Sequence, residues 1–186
     1  MVFALQQDNR IKVSNMRENE FITLKDDTRE DNYFDDIIHY KGQVYVVDKL
    51  GTISWIIAFS MKLVQFSLSN IYYCFDNINM WFNKKQLVEY DGSLYVVNLK
   101  ADFVEVYKLD QEWGKWLEVK DLGDASLVLG RDSNFASLAQ DYYGCEENCI
   151  YFFQKTKVFC FNLKNSKSKP ADIFWPLPNL FHSMGG

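Results

Sequence analysis

The feature that most constrains the fold of this chain is a short segment that occurs three times. The copies read YKGQVYVVD at residues 40–48, YDGSLYVVN at residues 90–98 and, more loosely, GCEENCIYFF at residues 144–153. The shared tyrosine recurs after 50 residues, from Tyr45 to Tyr95, and again after 56 residues, at Tyr151. Each copy places polar turn residues before β-branched and aromatic residues, as a turn followed by a strand does. A period of about fifty residues is typical of architectures in which each repeat is one small β-sheet.

The composition agrees with a globular β-protein and excludes some partners. Hydrophobic residues make up 48% of the 186 residues and charged residues 24%, which are ordinary values for one globular domain. Aromatic residues reach 17%, with fifteen Phe and eleven Tyr, and favour strands over helices. The net charge of −5 gives nucleic acid and anionic membranes no general attraction to the chain. Neither is therefore an expected partner.

The first residues do not read as a targeting signal. The apolar start, MVFAL, gives way at once to Gln6, Gln7 and Asp8, so it is too short and too polar for a secretory leader. The four cysteines are then expected to be free thiols in a reducing compartment. We predict a cytoplasmic or nuclear protein.

Residues 56–75 are apolar enough to suggest a membrane-spanning helix, but their pattern favours strands. Lys62 and several polar residues interrupt the segment, and a lysine at the centre of a bilayer costs about 3 kcal/mol. Residues 64–69 alternate between apolar and polar side chains, as a half-buried strand does. We predict two buried strands here and no membrane contact.

Strand patterns cover most of the chain, and no segment has the length and period of a helix. The Lys41–Gly42 and Asp91–Gly92 pairs are signals for two-residue hairpin turns. Residues 25–32 read as a charged loop, and the tail with Pro170, Pro176 and Pro178 breaks the strand pattern. The predicted strands are 20–24, 36–40, 44–48, 51–55, 87–90, 94–99, 103–109, 116–119, 127–129, 135–139, 149–153 and 158–161.

The repeat and the strands together predict an all-β, kelch-like β-propeller in a single domain. About 45 residues per blade leaves room for about four four-stranded antiparallel blades, the minimum for a closed ring. The expected blades cover residues 1–35, 36–80, 86–120 and 121–175. Because propellers usually have four to eight blades, the chain is expected to be a partial propeller, with an open arc as the alternative to a closed ring.

Six segments, in order, carry a resemblance to a known family. They are residues 34–48, 87–97, 103–109, 116–119, 122–131 and 144–152, with LGDASLVLGR at 122–131 as the most distinctive. Over residues 33–54 and 87–163 the chain resembles the plant F-box-associated domain of the KIB-type β-propeller family. The ordered set of segments is much more specific than any one of them.

The resemblance implies the substrate-recognition part of an SCF-type E3 ubiquitin ligase. In such proteins a helical F-box binds an Skp-type adaptor, and the propeller binds the target. No helical F-box pattern occurs before residue 20, so docking of an Skp-type adaptor is not favoured, and residues 56–86 lack the blade pattern of the family. We expect a non-catalytic protein-interaction module with a protein target of unknown identity. The alternatives are an adaptor-independent binding or decoy protein and a truncated, non-functional fragment.

The cysteines offer one weak metal motif. Cys145 and Cys149 have a C-x₃-C spacing, which would supply half of a zinc site. The other half is missing, because Cys74 and Cys160 are isolated in the sequence and His39 and His182 are the only histidines. We therefore predict buried structural thiols and no metal.

No residue pattern predicts catalysis or a cofactor. His39 follows Asp35 and Asp36 in a strand, but no G-x-S-x-G nucleophile motif accompanies it, so a structural role is expected. Gly123, Gly130 and Arg131 do not match a phosphate-binding motif. Residues 121–124 around Gly123 favour a turn between blades, and a structural role is expected for Arg131. We predict no enzyme activity, no cofactor and no catalytic residue.

The partner-binding residues are not defined by the sequence. Trp116 is expected to pack between blades, whereas Trp113 is the candidate for an exposed anchor, with core packing as the favoured alternative. A weakly basic cluster near Ser166 and Ser168 is predicted to be a solvated loop. Its lysines are Lys155, Lys157, Lys164, Lys167 and Lys169.

Overall fold

Strands account for almost all of the regular structure in a computed structural model of the chain. It describes residues 1–14, 21–24, 33–66, 84–100, 103–110, 112, 114–130, 133–141, 144–154 and 157–171. Among these residues there are sixteen strands, one short 3₁₀ turn at Ala139–Asp141 and no α-helix. The all-β class predicted from the sequence is therefore confirmed.

The described strands form four separate sheets. The first sheet contains β1 (Val2–Leu5), β2 (Ile11–Ser14) and β3 (Phe21–Thr23). The second contains β4 (Phe34–Tyr40), β5 (Gln43–Asp48), β6 (Ile53–Ile57) and β7 (Lys62–Gln65). The third contains β8 (Lys84–Tyr90), β9 (Ser93–Leu99), β10 (Val104–Asp110) and β11 (Lys115–Val119). The fourth contains β12 (Ala125–Leu129), β13 (Asn134–Leu138), β14 (Cys149–Gln154), β15 (Lys157–Asn162) and β16 (Lys167–Pro170).

The chain divides into two compact units, and the third sheet contributes strands to both. One unit comprises Met1–Leu87 and Leu109–Trp116, and the other Val88–Lys108 and Leu117–Gly186. The core of the first unit joins side chains of the first two sheets, namely Ile11, Val13, Leu24, Phe34, Val46 and Ile56. The core of the second unit includes Val97, Val106, Leu127, Ile150 and Phe161. In each unit, burial of these aliphatic and aromatic groups is the main favourable term for folding.

The first two copies of the repeated segment form equivalent hairpins. Lys41 and Gly42 connect β4 to β5 with φ values of 46° and 79°, and Asp91 and Gly92 connect β8 to β9 with values of 47° and 63°. A two-residue type I′ turn requires positive φ at both positions, which matches the twist of the strands on either side. The sequence prediction of two-residue turns at these positions is confirmed.

The repeated tyrosines make the same contact in both hairpins. The rings of Tyr40 and Tyr45 lie 5.8 Å apart, and those of Tyr90 and Tyr95 lie 6.3 Å apart. Such tilted and edge-to-face pairs contribute about 1 kcal/mol beyond the area that they bury. The aromatic residues of the repeat therefore help to fix the register of each hairpin.

The third copy forms a strand but not a hairpin of this kind. Tyr151 lies buried in β14, which pairs antiparallel with β15 and parallel with β12, Ser126 facing Cys149 in the register. Tyr45, Tyr95 and Tyr151 thus lie in three different sheets. The fourth sheet departs from the predicted antiparallel four-stranded pattern. It has five strands, and β14 lies beside β12 in parallel, a pairing that a tight turn cannot connect.

Asn148 stabilises the turn that leads into β14. Its side-chain oxygen accepts a hydrogen bond from the Leu122 amide at 2.8 Å, and its backbone amide donates to the Ala125 carbonyl at 2.8 Å. Its own carbonyl accepts from the Leu163 amide at 3.0 Å. The φ of 58° at this residue is a conformation that asparagine tolerates better than most side chains. One residue therefore ties together the starts of β12 and β14 and the end of β15.

Three strands escaped the sequence prediction. β1 and β2 were not recognised because each has only four residues, too few for a clear period. β15 and β16 overturn part of the prediction of a solvated lysine loop, because Lys157 begins β15 and Lys167 and Lys169 lie in β16, which pairs with β15. Lys155 lies outside the described residues. All four residues of β16 are exposed, as suits a charged edge strand, where Pro170 is also tolerated.

The apolar segment that suggested a membrane helix is a hairpin over its described part. β6 and β7 pair antiparallel, with Trp55 opposite Val64 and Ile56 opposite Leu63. The remainder of the predicted second strand, residues 67–69, lies outside the described residues. Within the part of the chain that the structure describes, no helix has the length and hydrophobicity to cross a bilayer.

Asp48 is predicted to stabilise the turn between β5 and β6. Its carboxylate accepts the Leu50 amide at 2.9 Å and the buried Thr52 amide at 2.8 Å. Asp48→Ala leaves these donors unpaired and is expected to lower the free energy of unfolding by about 2 kcal/mol, measured by urea denaturation. Asp48→Asn retains an acceptor and should lose less than half as much. A matched control is Asp8→Ala, because the Asp8 carboxylate accepts the Arg10 amide in an exposed turn and its loss should cost about 0.5 kcal/mol or less. Equal losses for Asp48→Ala and Asp8→Ala would contradict this role.

Candidate functional site

Asp35 and Asp36 bind backbone amides of the next sheet. Asp35 accepts a hydrogen bond from the Lys85 amide at 3.1 Å, and Asp36 accepts one from the Leu87 amide at 2.7 Å. The register of β4 and β5 shifts between Phe34 and Asp36, so that the two neighbouring carboxylates can reach the same partner strand, β8. The acidic pair is thus a bridge between β4 and β8.

The Lys85 ammonium group is buried beside Asp35. Its nitrogen lies 3.7 Å from the Asp35 carboxylate and donates to the Lys49 carbonyl at 2.6 Å, and both charged side chains are about 5% exposed. Burial raises the pKa of Asp35 above its ordinary value, and the charge of Lys85 acts in the opposite direction. His39, on the same strand, is exposed and pairs with Val44. These contacts give the acidic pair a structural role.

The glycines considered for phosphate binding lie at turns. The Asp121 carboxylate accepts the Gly123 amide at 2.8 Å, and Gly123 has a φ of 64°. The Gly130 amide donates to the Ser133 carbonyl at 3.0 Å, which closes the turn between β12 and β13. Arg131 lies outside the described residues. The turn predicted around Gly123 is therefore present.

Trp116 is buried, as predicted. Its indole nitrogen donates to the Gly51 carbonyl at 3.4 Å, so β11 of the third sheet contacts the turn between β5 and β6 of the second. A buried indole usually finds such an acceptor, because the N–H group would otherwise lose its hydrogen bond to water. Trp113, the other candidate anchor, lies outside the described residues.

The hairpin of β14 and β15 brings together two cysteines that looked isolated in the sequence. Cys149 faces Asn162 and Cys160 faces Tyr151 in the register, so the two cysteines are diagonal neighbours on one face of the sheet. Both thiols are free and buried, and the Asn162 amide nitrogen lies 3.4 Å from the Cys149 sulfur. The C-x₃-C spacing drew attention to Cys145 and Cys149, whereas the structure groups Cys149 with Cys160.

A carboxylate completes this thiol cluster. One oxygen of Glu146 and the sulfur atoms of Cys149 and Cys160 all lie within 4.8 Å of one another. The Glu146 amide donates to the Tyr151 hydroxyl at 2.7 Å, and its carboxylate pairs with Lys169 of β16. The Cys149 thiol donates to Cys160, which raises the pKa of Cys149 and lowers that of Cys160.

The remaining neighbours of this thiol cluster, which consists of Glu146, Cys149 and Cys160, are mostly apolar. Val128, Phe135, Phe153 and Val158 pack around the sulfur atoms, and Cys145 borders the same core. Burial raises the pKa of Cys145. The hydroxyl of Ser126, which is fully buried, acts on the pKa of Cys145 in the opposite direction. The cluster is therefore a small polar site in an otherwise apolar part of the second unit.

A shallow cavity lies in the first unit. Its volume is about 220 Å³, and it lies between β2 and β3 of the first sheet and the turn from β6 to β7. Its lining residues are Val13, Ile22, Thr23, Leu24, Ser60, Met61 and Lys62. Phe59 in this turn is 90% exposed, and Phe21 and Ile22 on β3 are 64% and 57% exposed. Large apolar side chains that are this exposed are typical of interaction surfaces, and they define what we call the Phe59 cleft.

Neither feature was predicted from the sequence. The partner of Cys149 depends on the register between β14 and β15, which the alternation of apolar residues does not specify by itself. Phe59 lies in an apolar segment and therefore read as part of a buried strand. Only the position of the β6–β7 turn, where Met61 has a φ of 54°, shows that Phe59 points outward.

The family model for the KIB1-4 β-propeller matches residues 1–167 of the chain. The chain belongs to this family. The match confirms the resemblance found in the sequence and, with the four sheets, the assignment to a β-propeller domain.

Curated relatives of this KIB-type chain are F-box proteins of Arabidopsis thaliana. F-box protein At2g26160 is 35% identical over 179 residues, which cover 88% of this chain and 52% of the relative. Putative F-box protein At1g65770 is 36% identical over 164 residues, covering 77% and 43%. F-box protein KIB4 is 32% identical over 74 residues, covering 39% and 18%. The chain thus spans about half the length of the first two relatives.

Asp35 and Lys85 are predicted to stabilise the fold only when both charges are present. Lys85→Met leaves a buried carboxylate without its counter-charge and is expected to cost about 3 kcal/mol of unfolding free energy. The double variant Asp35→Asn, Lys85→Met should recover part of that loss, because no buried charge remains. Chemical denaturation of the wild type, both single variants and the double variant measures the coupling.

The pH dependence provides a second readout of this pair. The raised pKa of Asp35 means that its contribution to stability is largest below the ordinary pKa of 3.8 and decreases as pH rises through the folded-state pKa. Asp35→Asn should remove this dependence.

The exposed pair Lys120–Glu118, 3.3 Å apart, gives a matched control for Lys85→Met, and Lys120→Met should lower the free energy of unfolding by about 0.5 kcal/mol or less. Additive single-variant losses would contradict the coupling.

Proposed function

We propose that this chain is a non-catalytic protein-interaction module that binds the target of an SCF-type E3 ubiquitin ligase. Its membership of the KIB1-4 β-propeller family and its F-box protein relatives support this context. In an SCF-type ligase, a propeller holds a protein while a separate part of the ligase connects to the adaptor. The proposed role therefore needs an exposed surface suited to a protein, in a protein of the cytoplasm or nucleus.

The Phe59 cleft is the observation that supports binding of a protein most directly. Phe59 is exposed to 90%, and the cavity beside it is lined by aliphatic side chains together with Ser60 and Lys62. Binding energy at protein interfaces concentrates on aromatic anchors next to small pockets, because burying them removes much apolar area from water. We propose that a short apolar segment of the target inserts an aliphatic side chain into the cavity and packs against Phe59.

The polar groups at the cleft refine the expected target. Lys62, on the rim of the cavity, adds a positive charge beside the apolar lining. A target segment with an acidic residue next to its apolar anchor would pair with Lys62 at the wet edge, where such pairs contribute more to specificity than to affinity. The proposed ligand is therefore a protein segment with apolar and acidic residues side by side.

An adaptor-independent binding protein is the second candidate function. The family resemblance concerns the propeller, and the matched relatives are about twice as long as the aligned part. Under this alternative the chain binds the same target but does not join a ligase by itself, so it would compete with the longer relatives.

Direct binding measurements distinguish the two candidates. The purified chain is titrated with a purified Skp-type adaptor by calorimetry, and separately used for cross-linking and mass spectrometry in plant extract. Target binding together with adaptor binding supports a ligase subunit, and target binding alone supports the adaptor-independent function. If neither interaction occurs with a folded chain, both proposals fail.

Phe59→Ala is predicted to weaken binding to a target identified in that experiment by about tenfold or more. The fold should be unaffected, because the side chain is 90% exposed. Calorimetry measures the affinity, and circular dichroism confirms that the variant is folded.

Leu117→Ala is the matched control, because Leu117 is 51% exposed on β11 and belongs to the other compact unit. The affinity of the Leu117→Ala variant for the target should stay within about twofold of that of the wild type. Equal affinities for the wild type and Phe59→Ala would show that the target binds elsewhere.

A further inference from the structure

We propose that Cys149, Cys160 and Glu146 bind one zinc ion in the fourth sheet. The two sulfur atoms and a carboxylate oxygen lie within 4.8 Å of one another, which is close enough for one ion to contact all three after small side-chain rotations. Three protein ligands and one water molecule would complete the tetrahedral geometry that zinc prefers. The inference concerns the other compact unit from the one that carries the Phe59 cleft and does not depend on the target-binding proposal.

The chemistry of the donors selects the kind of metal. Thiolates are soft ligands that favour zinc over magnesium or calcium, which prefer oxygen donors. One carboxylate beside two thiolates gives three negative charges around the ion, so that the complex has a small net charge. A buried dication with such ligands avoids the high cost of an unpaired charge in an apolar core.

A metal ion bridges these cysteines more easily than a disulfide would. Cys149 and Cys160 are diagonal neighbours in the register and not directly opposite. Diagonal neighbours in a sheet are about 7–8 Å apart, whereas disulfides rarely join Cα atoms more than about 7 Å apart. An ion that contacts both sulfur atoms requires no movement of the strands.

The surroundings of the thiols resemble the outer shell of a structural metal site. The Asn162 side-chain nitrogen donates to the Cys149 sulfur at 3.4 Å, and such hydrogen bonds orient a thiolate ligand. The Tyr151 hydroxyl accepts the Glu146 amide at 2.7 Å and so holds the carboxylate near the sulfur atoms. Val128, Phe153 and Val158 pack in the same core as the two cysteines, which limits the access of water to the sulfur atoms.

Glu146 gives the ion a route from solvent. Its side chain is 51% exposed, whereas Cys149 and Cys160 are buried. One carboxylate oxygen accepts from Lys169, and the carboxylate has a second oxygen for the metal. The ammonium group of Lys169 repels a dication, so this edge-strand residue is expected to reduce the affinity of the site.

Titration of the full chain with cobalt(II) chloride under reducing conditions tests the site, because tetrahedral cobalt with thiolate ligands gives charge-transfer and visible absorption bands. Wild type should bind one equivalent, and zinc chloride should displace the cobalt. Cys149→Ser and Cys160→Ser should each weaken zinc binding by about 100-fold or more, since each removes a direct ligand. Zinc should also raise the melting temperature of the wild type but not of these variants.

Surface variants test the site without risk to the core. Glu146→Gln should weaken zinc binding by about tenfold, and Lys169→Met should strengthen it by roughly tenfold through loss of a repelling charge. Cys145→Ser is the matched control: it removes a sulfur that borders the cluster but lies outside the three-ligand set, so affinity should stay within about threefold.

Three results would overturn the inference. The first is the absence of charge-transfer bands in the wild type at one equivalent of cobalt. The second is unchanged zinc affinity in both Glu146→Gln and Lys169→Met, which would remove the carboxylate from the site. The third is a loss in Cys145→Ser as large as that in Cys160→Ser, which would contradict the assigned ligands.

Discussion

A strand that is buried on both faces cannot belong to a sheet that stands alone, and this constraint governs the structure. Residues 45–48 of β5, 94–98 of β9 and every residue of β12 are buried, although successive side chains of a strand point to opposite faces. Each of these strands needs apolar cover on both sides. A repeated sheet supplies such cover again and again, which explains why the Tyr-Val-Val segment recurs along the chain.

Polar side chains then decide where the strands begin and end. Asp48, Asp35, Asp36 and Asn148 each accept backbone amides at a turn or at the start of a strand. Buried amides must find acceptors, and a carboxylate or side-chain amide supplies one where no neighbouring strand does. The apolar residues thus provide most of the driving force, while a few polar residues fix the geometry in which it acts.

The sequence predicted the strands with long apolar patterns and both I′ hairpins, because alternation and turn chemistry are local properties. It failed where tertiary context decides. β16 has no aliphatic or aromatic residue, so its sequence does not indicate a strand. β12 and β14 pair in parallel after an intervening segment, and no local sequence signal predicts that pairing. The thiol cluster was missed for a related reason: Cys160 approaches Cys149 only because β14 and β15 adopt one register. The Phe59 cleft depends on the position of a turn within an apolar segment, which a shift of one or two residues would abolish.

The parallel pairing of β12 with β14 has a consequence for how the molecule is assembled. In the second sheet every neighbouring pair of strands joins residues that are close along the chain, so its hairpins can form independently and early. β14 can pair with β12 only after β13 and the residues that follow it have brought the chain back to the start of β12. The β12–β14 pairing therefore requires closure of a longer loop than any hairpin of the second sheet, and an interruption of synthesis between these two strands would leave β12 with an open edge.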